Sequence, residues 1–345
     1  MKLAAPNYYP SFRCIADKCR HSCCIGWEID IDESTREKYR RVPGEFGARL
    51  NASIEDGEVS SFRLGANGRC PMLNQSGLCD LITALGEESL CRICADHPRF
   101  RNYFGRLEVE LCSTSDSDCL QSPSVTSARP CAERWSRIEI GLGLCCEEAA
   151  RLILTQETPM QLITLEDDGI TAELPEKEAE LLALRAELLA LMQDDAHPLE
   201  ERLDSLLDAV DFAIPDRDWA KVYRNLEQLD PAWDAYIESF PPKGSRGRSE
   251  SPLVATAEAK PLQTALANFC VYLLYRHLPG ALEDDDIAGR VAFCVLSTRM
   301  LMALCAAKAG CTIADCIEFA RMYSAEIEYS EDNIAALLDA LWEEA

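Results

Sequence analysis

Cys14, Cys19, Cys23 and Cys24, with Gly26-Trp27 close behind, form the densest thiol group in the chain. A second set comprises Cys70 in Cys70-Pro71-Met72-Leu73, Cys79, Cys91 and Cys94, followed by Asp96-His97-Pro98-Arg99. A third is Cys145-Cys146, ahead of Glu147-Glu148-Ala149-Ala150. Thiolates bind soft metals, and a tight site needs several of them gathered from short loops. Thirteen of the eighteen cysteines fall in the first 146 residues, so sulfur organises this half. Residues 1–10 lack the apolar run of a secretory signal. A cytoplasmic, reducing setting is therefore expected, in which clustered thiols are metal ligands or redox groups rather than disulfides. No repeated C-x2-C pair of the zinc-ribbon kind occurs, so spacing alone leaves zinc and iron–sulfur both open.

The elements that must position these thiols differ between the two halves. Residues 1–150 carry short apolar runs and many turn formers, as expected for a loop-rich, cysteine-rich module. Gly26 to Asp32 alternates apolar and acidic residues in strand fashion, and Asp32 to Thr35 offers caps for a helix running through Tyr39. Residues 106–136, with Cys112, Cys119 and Cys131, have no periodic pattern and read as an inserted loop. From Glu147 the texture is helical, and residues 151–345 are expected to be an all-α domain. Helices are predicted at 147–155, 176–193, 199–212, 216–238, 258–277, 285–308, 312–327 and 331–343. In the second of these, Leu181, Leu184, Leu188 and Leu191 define the stripe expected to bury. The turn-rich, basic stretch 241–257 reads as an exposed flexible loop. The fold class is thus mainly α, a cysteine-rich module followed by a helical domain.

The net charge of −25 is uneven: residues 1–150 hold 18 Lys and Arg against 22 Asp and Glu, leaving 16 against 37 for the rest. So acidic a surface repels a phosphate backbone, which makes nucleic acid an unsuitable partner, and it attracts basic or lysine-bearing proteins. It also serves solubility alone. The longest apolar stretch, 291–307, is interrupted by Ser297, Thr298 and Arg299, so no membrane span is expected.

The three cysteine sets, in this order, resemble the flagellin lysine-N-methylase family (FliB), over residues 6 to about 154. The resemblance implies a protein-lysine N-methyltransferase that uses S-adenosylmethionine, acts on flagellin and holds a [4Fe-4S] cluster. By position it implies Cys14, Cys19, Cys23, Cys24, Cys70, Cys79, Cys94 and Cys146 as motif cysteines. Eight exceeds the four a [4Fe-4S] cluster needs. Adjacent thiols seldom reach one metal atom together, so Cys24 and one of Cys145 and Cys146 are expected to pack or to stand behind the ligands, leaving Cys19, Cys23, Cys79 and Cys94 as first choices. The longer link to Cys145 made by residues 106–136 departs from the family pattern.

Transfer to a lysine amine needs a neutral nucleophile, hence a base or a desolvating pocket. The candidates are Asp96, His97 and Tyr103, with Asp30, Asp32, Glu87 and Glu88 further off. His97 and Arg99 equally suit shaping the turn or bonding to sulfur, and Trp27 suits either a wall for the donor or the core. Trp27 and Arg99 are the candidate donor-binding residues. No G-x-G-x-x-G opens a helix after a strand, which disfavours the ordinary dinucleotide-type methyltransferase, and the C-x3-C-x2-C spacing of radical chemistry is absent. The competing reading is a non-enzymatic zinc- or iron-chelating or redox-sensing protein.

Overall fold

The computed structural model describes residues 1–107, 134–169, 173–229, 233–237 and 259–343. The chain begins with β1 (Lys2–Pro6), β2 (Asp30–Ile31), α1 (Glu33–Arg40), α2 (Gly44–Ala52), β3 (Ile54–Glu55) and β4 (Ser60–Phe62). Next come α3 (Asp80–Leu85), α4 (Arg92–Asp96), β5 (Arg99–Leu107), β6 (Arg134–Leu142), α5 (Glu147–Leu154) and β7 (Leu162–Asp167). The remainder is helical: α6 (Glu176–Gln193), α7 (Leu199–Ala209), α8 (Trp219–Arg224), α9 (Trp233–Ile237), α10 (Ala259–His277) and α11 (Ala281–Asp284). It ends with α12 (Ile287–Ala307), α13 (Ile313–Tyr323) and α14 (Glu331–Trp342).

Two compact units result: one from residues 1–12, 101–105 and 136–345, the other from 13–100 and 106–135. The larger unit is mainly α, but it is not all-α. β1 pairs in parallel with β6 (Leu3 opposite Ile138) and antiparallel with β7 (Ala5 opposite Ile163), in a sheet ordered β5-β6-β1-β7. Residues 1–12 and 136–150 join the helical unit through this pairing. A strand's backbone groups need partners wherever they are buried, and β1, whose last three residues are buried, finds them on both sides.

α10 and α12 form the centre, packing on each other while α10 also meets α5 and α6 and α12 meets α7, α13 and α14. Helices surrounded in this way need apolar residues on every face. Accordingly Leu266, Phe269, Tyr272, Leu273 and Tyr275 of α10 and Val291, Phe293, Val295 and Leu301 of α12 are all nearly solvent-free. α12 is the one helix among the described residues long and apolar enough to cross a membrane, and 72% of its most apolar window is buried inside the fold.

In α6 the stripe is not the one expected: Leu181, Arg185, Leu188 and Met192 are buried, whereas Leu191 is 40% exposed. The inward position of Arg185 follows from Glu139 of β6, fully buried, whose two carboxylate oxygens accept from Arg185 Nη2 at 2.8 and 2.7 Å. Arg185 also lies over the Tyr275 ring at 5.2 Å. The helix expected over 216–238 is interrupted: α8 ends at Arg224, and residues 225–229 are non-helical. There the Glu227 and Leu229 amides donate to the side chains of Asn333 and Glu326, long-range partners that replace helical ones. The predicted strand over 26–32 contracts to Asp30–Ile31, because its partner strand β4 has only three residues and the chain turns at Gly26 (φ +84°). The loop expected at 241–257 lies outside the described residues.

Candidate metal centre

The smaller unit, residues 13–100, gathers cysteines from three loops around a modest core. Ile29, Ile31, Tyr39, Leu50, Ile54, Phe62, Met72 and Leu81 form that core, together with Cys70 and Cys91. Cys24, Cys79 and Cys94 pack against it, half-buried. Hydrogen bonds pin the loops. The Cys70 amide donates to the Cys24 carbonyl at 2.8 Å, and the Gly26 amide to Gly68 at 3.0 Å. A side chain at Gly68 (φ +66°) would bring a carbon within 3.0 Å of the Gly26 nitrogen, so this crossing requires glycine. The loop from Cys70 to Cys79 closes as the Asp80 amide donates to Met72 at 2.8 Å, while Asn74 Oδ1 accepts from the Ser76 and Leu78 amides. Asp32 caps α1 by accepting from the Thr35 amide (3.1 Å) and accepts from the Arg92 amide (3.0 Å), tying α1 to the turn that carries Cys91. Partial burial opposes ionisation of Asp32, but these bonds and that from Ser34 outweigh it and hold the carboxyl at about 2. The Tyr39 hydroxyl donates to the Ser89 carbonyl at 2.7 Å, just before Cys91.

One local geometry recurs at the sulfurs. Backbone amides two or three residues onward donate to them: Ala16 to Cys14 (3.4 Å), Met72 and Leu73 to Cys70, Leu81 and Ile82 to Cys79, and Cys94 to Cys91. An amide aimed at sulfur favours the thiolate, the form that binds metal, and hydrogen bonds of this kind tune sulfur-ligated clusters. Burial works the other way. It pushes the Cys70 thiol up to about 12 and raises Cys79, with the amides opposing. Within the pair, the Cys94 thiol donates to Cys91, so Cys91 is lowered and Cys94, also buried, is raised. Likewise the bond from Cys23 brings Cys24 down to about 7 against burial, helped by Ser22 and the charge of Arg69.

The structure thus brings together Cys24, Cys70, Cys79, Cys91 and Cys94; Cys14 and Cys23 are exposed and Cys19 half-buried. Cys91 is the addition to the motif set, and its signal in the sequence is the C-x2-C spacing to Cys94. Among the described residues no three Cys, His, Asp or Glu side chains stand in ready ligating geometry, and none of the fifteen described cysteines is in a disulfide. The donor type and the amide-lined turns fit a thiolate-bound group. Cys146 lies in the helical unit, preceding α5, and its neighbour Cys145 is buried there and hydrogen-bonded with Tyr329. Cys112, Cys119 and Cys131 lie outside the described residues.

His97 follows α4, and burial, with the charge of Arg99, lowers its pKa to about 4, so the imidazole is neutral. Arg99 Nη1 donates to the carbonyls of Ala95 (3.2 Å) and His97 (3.4 Å), closing the end of α4. Asp96 and Trp27 are half-buried in the same unit, whereas Tyr103 belongs to the helical unit and is 46% exposed.

No family model and no solved structure matches the chain. It is 30% identical over 131 residues to proteins named lysine-N-methylase from Salmonella typhimurium and Salmonella choleraesuis, covering 35% of this chain and 31% of theirs. The chain thus spans about a third of the length of these relatives. It is 28% identical over 132 residues to the flagellar biosynthetic protein FliU of Salmonella muenchen, covering 35% of this chain and 73% of that protein.

Proposed function

We propose that the chain is a protein-lysine N-methyltransferase that takes its methyl group from S-adenosylmethionine and acts on flagellin, with four of Cys24, Cys70, Cys79, Cys91 and Cys94 holding a [4Fe-4S] cluster. The carrying observation is the likeness to lysine-N-methylases in a chain whose thiols converge on amide-lined turns. The FliU likeness supports a flagellar substrate.

When bound, the cluster would offer iron to the amino and carboxylate groups of the donor. The remaining work falls to the chain. A lysine ammonium has no lone pair and must lose a proton before attacking the methyl carbon. His97 is neutral, its pKa held down at about 4 by burial, and it suits orienting the amine. Asp96, beside it in the chain, is the carboxylate we assign to accept that proton. The net charge of −25 draws lysine-bearing partners.

A zinc-binding or redox protein without transferase activity is the second reading, favoured by the hydrogen-bonded Cys91 and Cys94 pair. Anaerobic reconstitution followed by iron, sulfide and zinc analysis separates the two, and zinc without iron or sulfide sinks the cluster. Incubating the reconstituted protein with S-adenosylmethionine and flagellin should add methyl mass increments to flagellin lysines, and Asp96→Asn should suppress them. Unmodified flagellin under conditions where the donor binds would overturn the transferase reading.

A further inference from the structure

The sheet of the larger unit has two edges, and they differ. At the β5 edge the Gly105 amide donates to Glu178 Oε2 of α6 at 2.6 Å, and Asn102 Nδ2 donates to the Tyr275 carbonyl of α10 at 3.3 Å, so helices engage that strand. At the other edge β7 packs against β1, and among the described residues no strand pairs with its outer side. A strand with one face on a core buries every second residue, yet Thr164, Leu165, Glu166 and Asp167 are all exposed, Leu165 by 36%.

The direction of the backbone groups follows from the register. The Asn7 amide donates to the Gln161 carbonyl at 2.8 Å, and Pro6, which has no amide hydrogen, lies opposite Leu162. Bonded and non-bonded positions alternate in an antiparallel pair, so Thr164, opposite Ala4, turns its N–H and C=O away from β1. Outward backbone groups on an exposed edge are a template for one more strand. The side chains select which strand. Leu162 to Leu165 hold no charge and no proline to block pairing, and Glu166 and Asp167 follow them. Lys2 lies opposite Asp167 and the Met1 ammonium bonds to Asp168, but Glu166 has no ion pair among the described residues. Residues 151–345 hold 16 Lys and Arg against 37 Asp and Glu, so this edge repels a second copy of the chain and draws a basic strand.

We propose that the outer edge of β7 docks an extended, lysine-bearing segment of a partner protein as a further strand, its backbone bonded to Thr164 and a lysine beside Glu166. That this partner is the methylation substrate rests on the transferase reading; the docking itself needs neither cluster nor donor.

The test is fluorescence anisotropy of the full chain with a short labelled peptide that alternates lysine with valine. It should bind, whereas the same peptide with glutamate for lysine, or with proline for valine, should not. Thr164→Pro removes the outward N–H, leaves the bonds to β1 in place and should weaken binding about tenfold with unchanged helical circular dichroism. Glu166→Lys should weaken it roughly threefold, and it carries the test if the proline variant does not fold. Asp339→Lys, an equal charge change at an exposed position of α14, should leave binding as it is. Undiminished binding by folded Thr164→Pro, equal losses in Glu166→Lys and Asp339→Lys, or binding of the glutamate peptide would each overturn the proposal. So would a dimer in sedimentation that Thr164→Pro returns to monomer, which would give the edge to a second copy. Flagellin methylation without peptide binding sinks the docking alone, and peptide binding without methylation sinks the transferase reading alone.

Discussion

Cysteines behave differently in the two units, although the residue is the same. In residues 13–100 the sulfurs sit in turns whose amides point at them, and the loops are fastened by hydrogen bonds around a small core. In the helical unit Cys270 and Cys294 lie inside α10 and α12, fully buried, where they fill space as apolar residues do. Burial pushes Cys270 up to about 12 and Cys294 well above the usual thiol range. Burial likewise pushes Cys70 up to about 12, so what separates the two groups is the amides that point at the sulfurs of residues 13–100. One unit is held largely by packing, the other largely by directed polar contacts.

That contrast can be broken from the packing side. Phe269→Ala empties the centre of the helical unit and should cost about 3–5 kcal/mol, read from urea unfolding. A loss below about 1 kcal/mol would contradict a packing-held unit. A comparable loss is expected at a charged cluster buried inside that unit. Glu328 Oε1 meets His277 Nε2 at 2.6 Å, Arg276 Nη1 at 3.6 Å and the Tyr272 hydroxyl at 2.9 Å, with Tyr329 and Cys145 beside Arg276 and Arg290 facing His277. Burial opposes the charge on Glu328, yet Arg276 and His277 outweigh it and hold the carboxyl down at about 2. Glu328→Gln leaves Arg276 without its countercharge and should cost about 3 kcal/mol.

The sign of the pH effect follows. A carboxyl lowered on folding stabilises fully above its ordinary pKa of 4.5, and that contribution is lost as pH falls through about 2. Burial lowers His277 below 6.5, so its contribution also fades on acidification, starting below that pH. The unfolding free energy of the wild type should therefore fall with acid, by about 3 kcal/mol from Glu328 alone, and the Gln variant should show a flatter profile. Parallel profiles would show that Glu328 is not the titrating group.

Smaller effects sharpen the comparison from the sulfur side. Asp32→Ala removes the cap of α1 and the acceptor of the Arg92 amide, with an expected cost of about 1–2 kcal/mol. Hydrogen exchange should quicken at Thr35 and Arg92 while α12 stays protected. Cys294→Ala should cost about 1 kcal/mol and leave iron content unchanged, whereas replacing Cys70 and Cys79 together by Ala, which leaves three of the five thiols, should abolish iron retention after reconstitution. Equal iron loss in both variants would erase the distinction between the two thiol populations. At the bottom of the scale, Lys177→Ala breaks an exposed pair with Asp285 and should change stability by roughly 0–1 kcal/mol, less at high salt.

Much of the helical unit was legible in the sequence. α6 occupies the predicted 176–193, and α5, α10, α12 and α14 end within two residues of their expected limits, because sustained apolar periodicity leaves little choice. The inward turn of Arg185 was not legible, since its partner Glu139 lies on a strand 46 residues earlier. Nor was the sheet that joins β1 to β6 and β7, because strand pairing over such separations depends on which surfaces meet. The cysteine motifs were plain from type and spacing. Which sulfurs face inward was not: Cys24, expected to pack or to stand behind the ligands, lies with Cys70, Cys79, Cys91 and Cys94, while Cys14 and Cys23 are exposed.

By itself, then, the sequence determined that sulfur is concentrated in the first half, that the second half is helical, and that acidic charge collects there, since composition and local periodicity act over a few residues. Tertiary structure decided which thiols converge and what each sulfur meets. Sulfur chemistry depends on the amides, carbonyls and charges within a few ångströms, and these come from residues far apart in the chain.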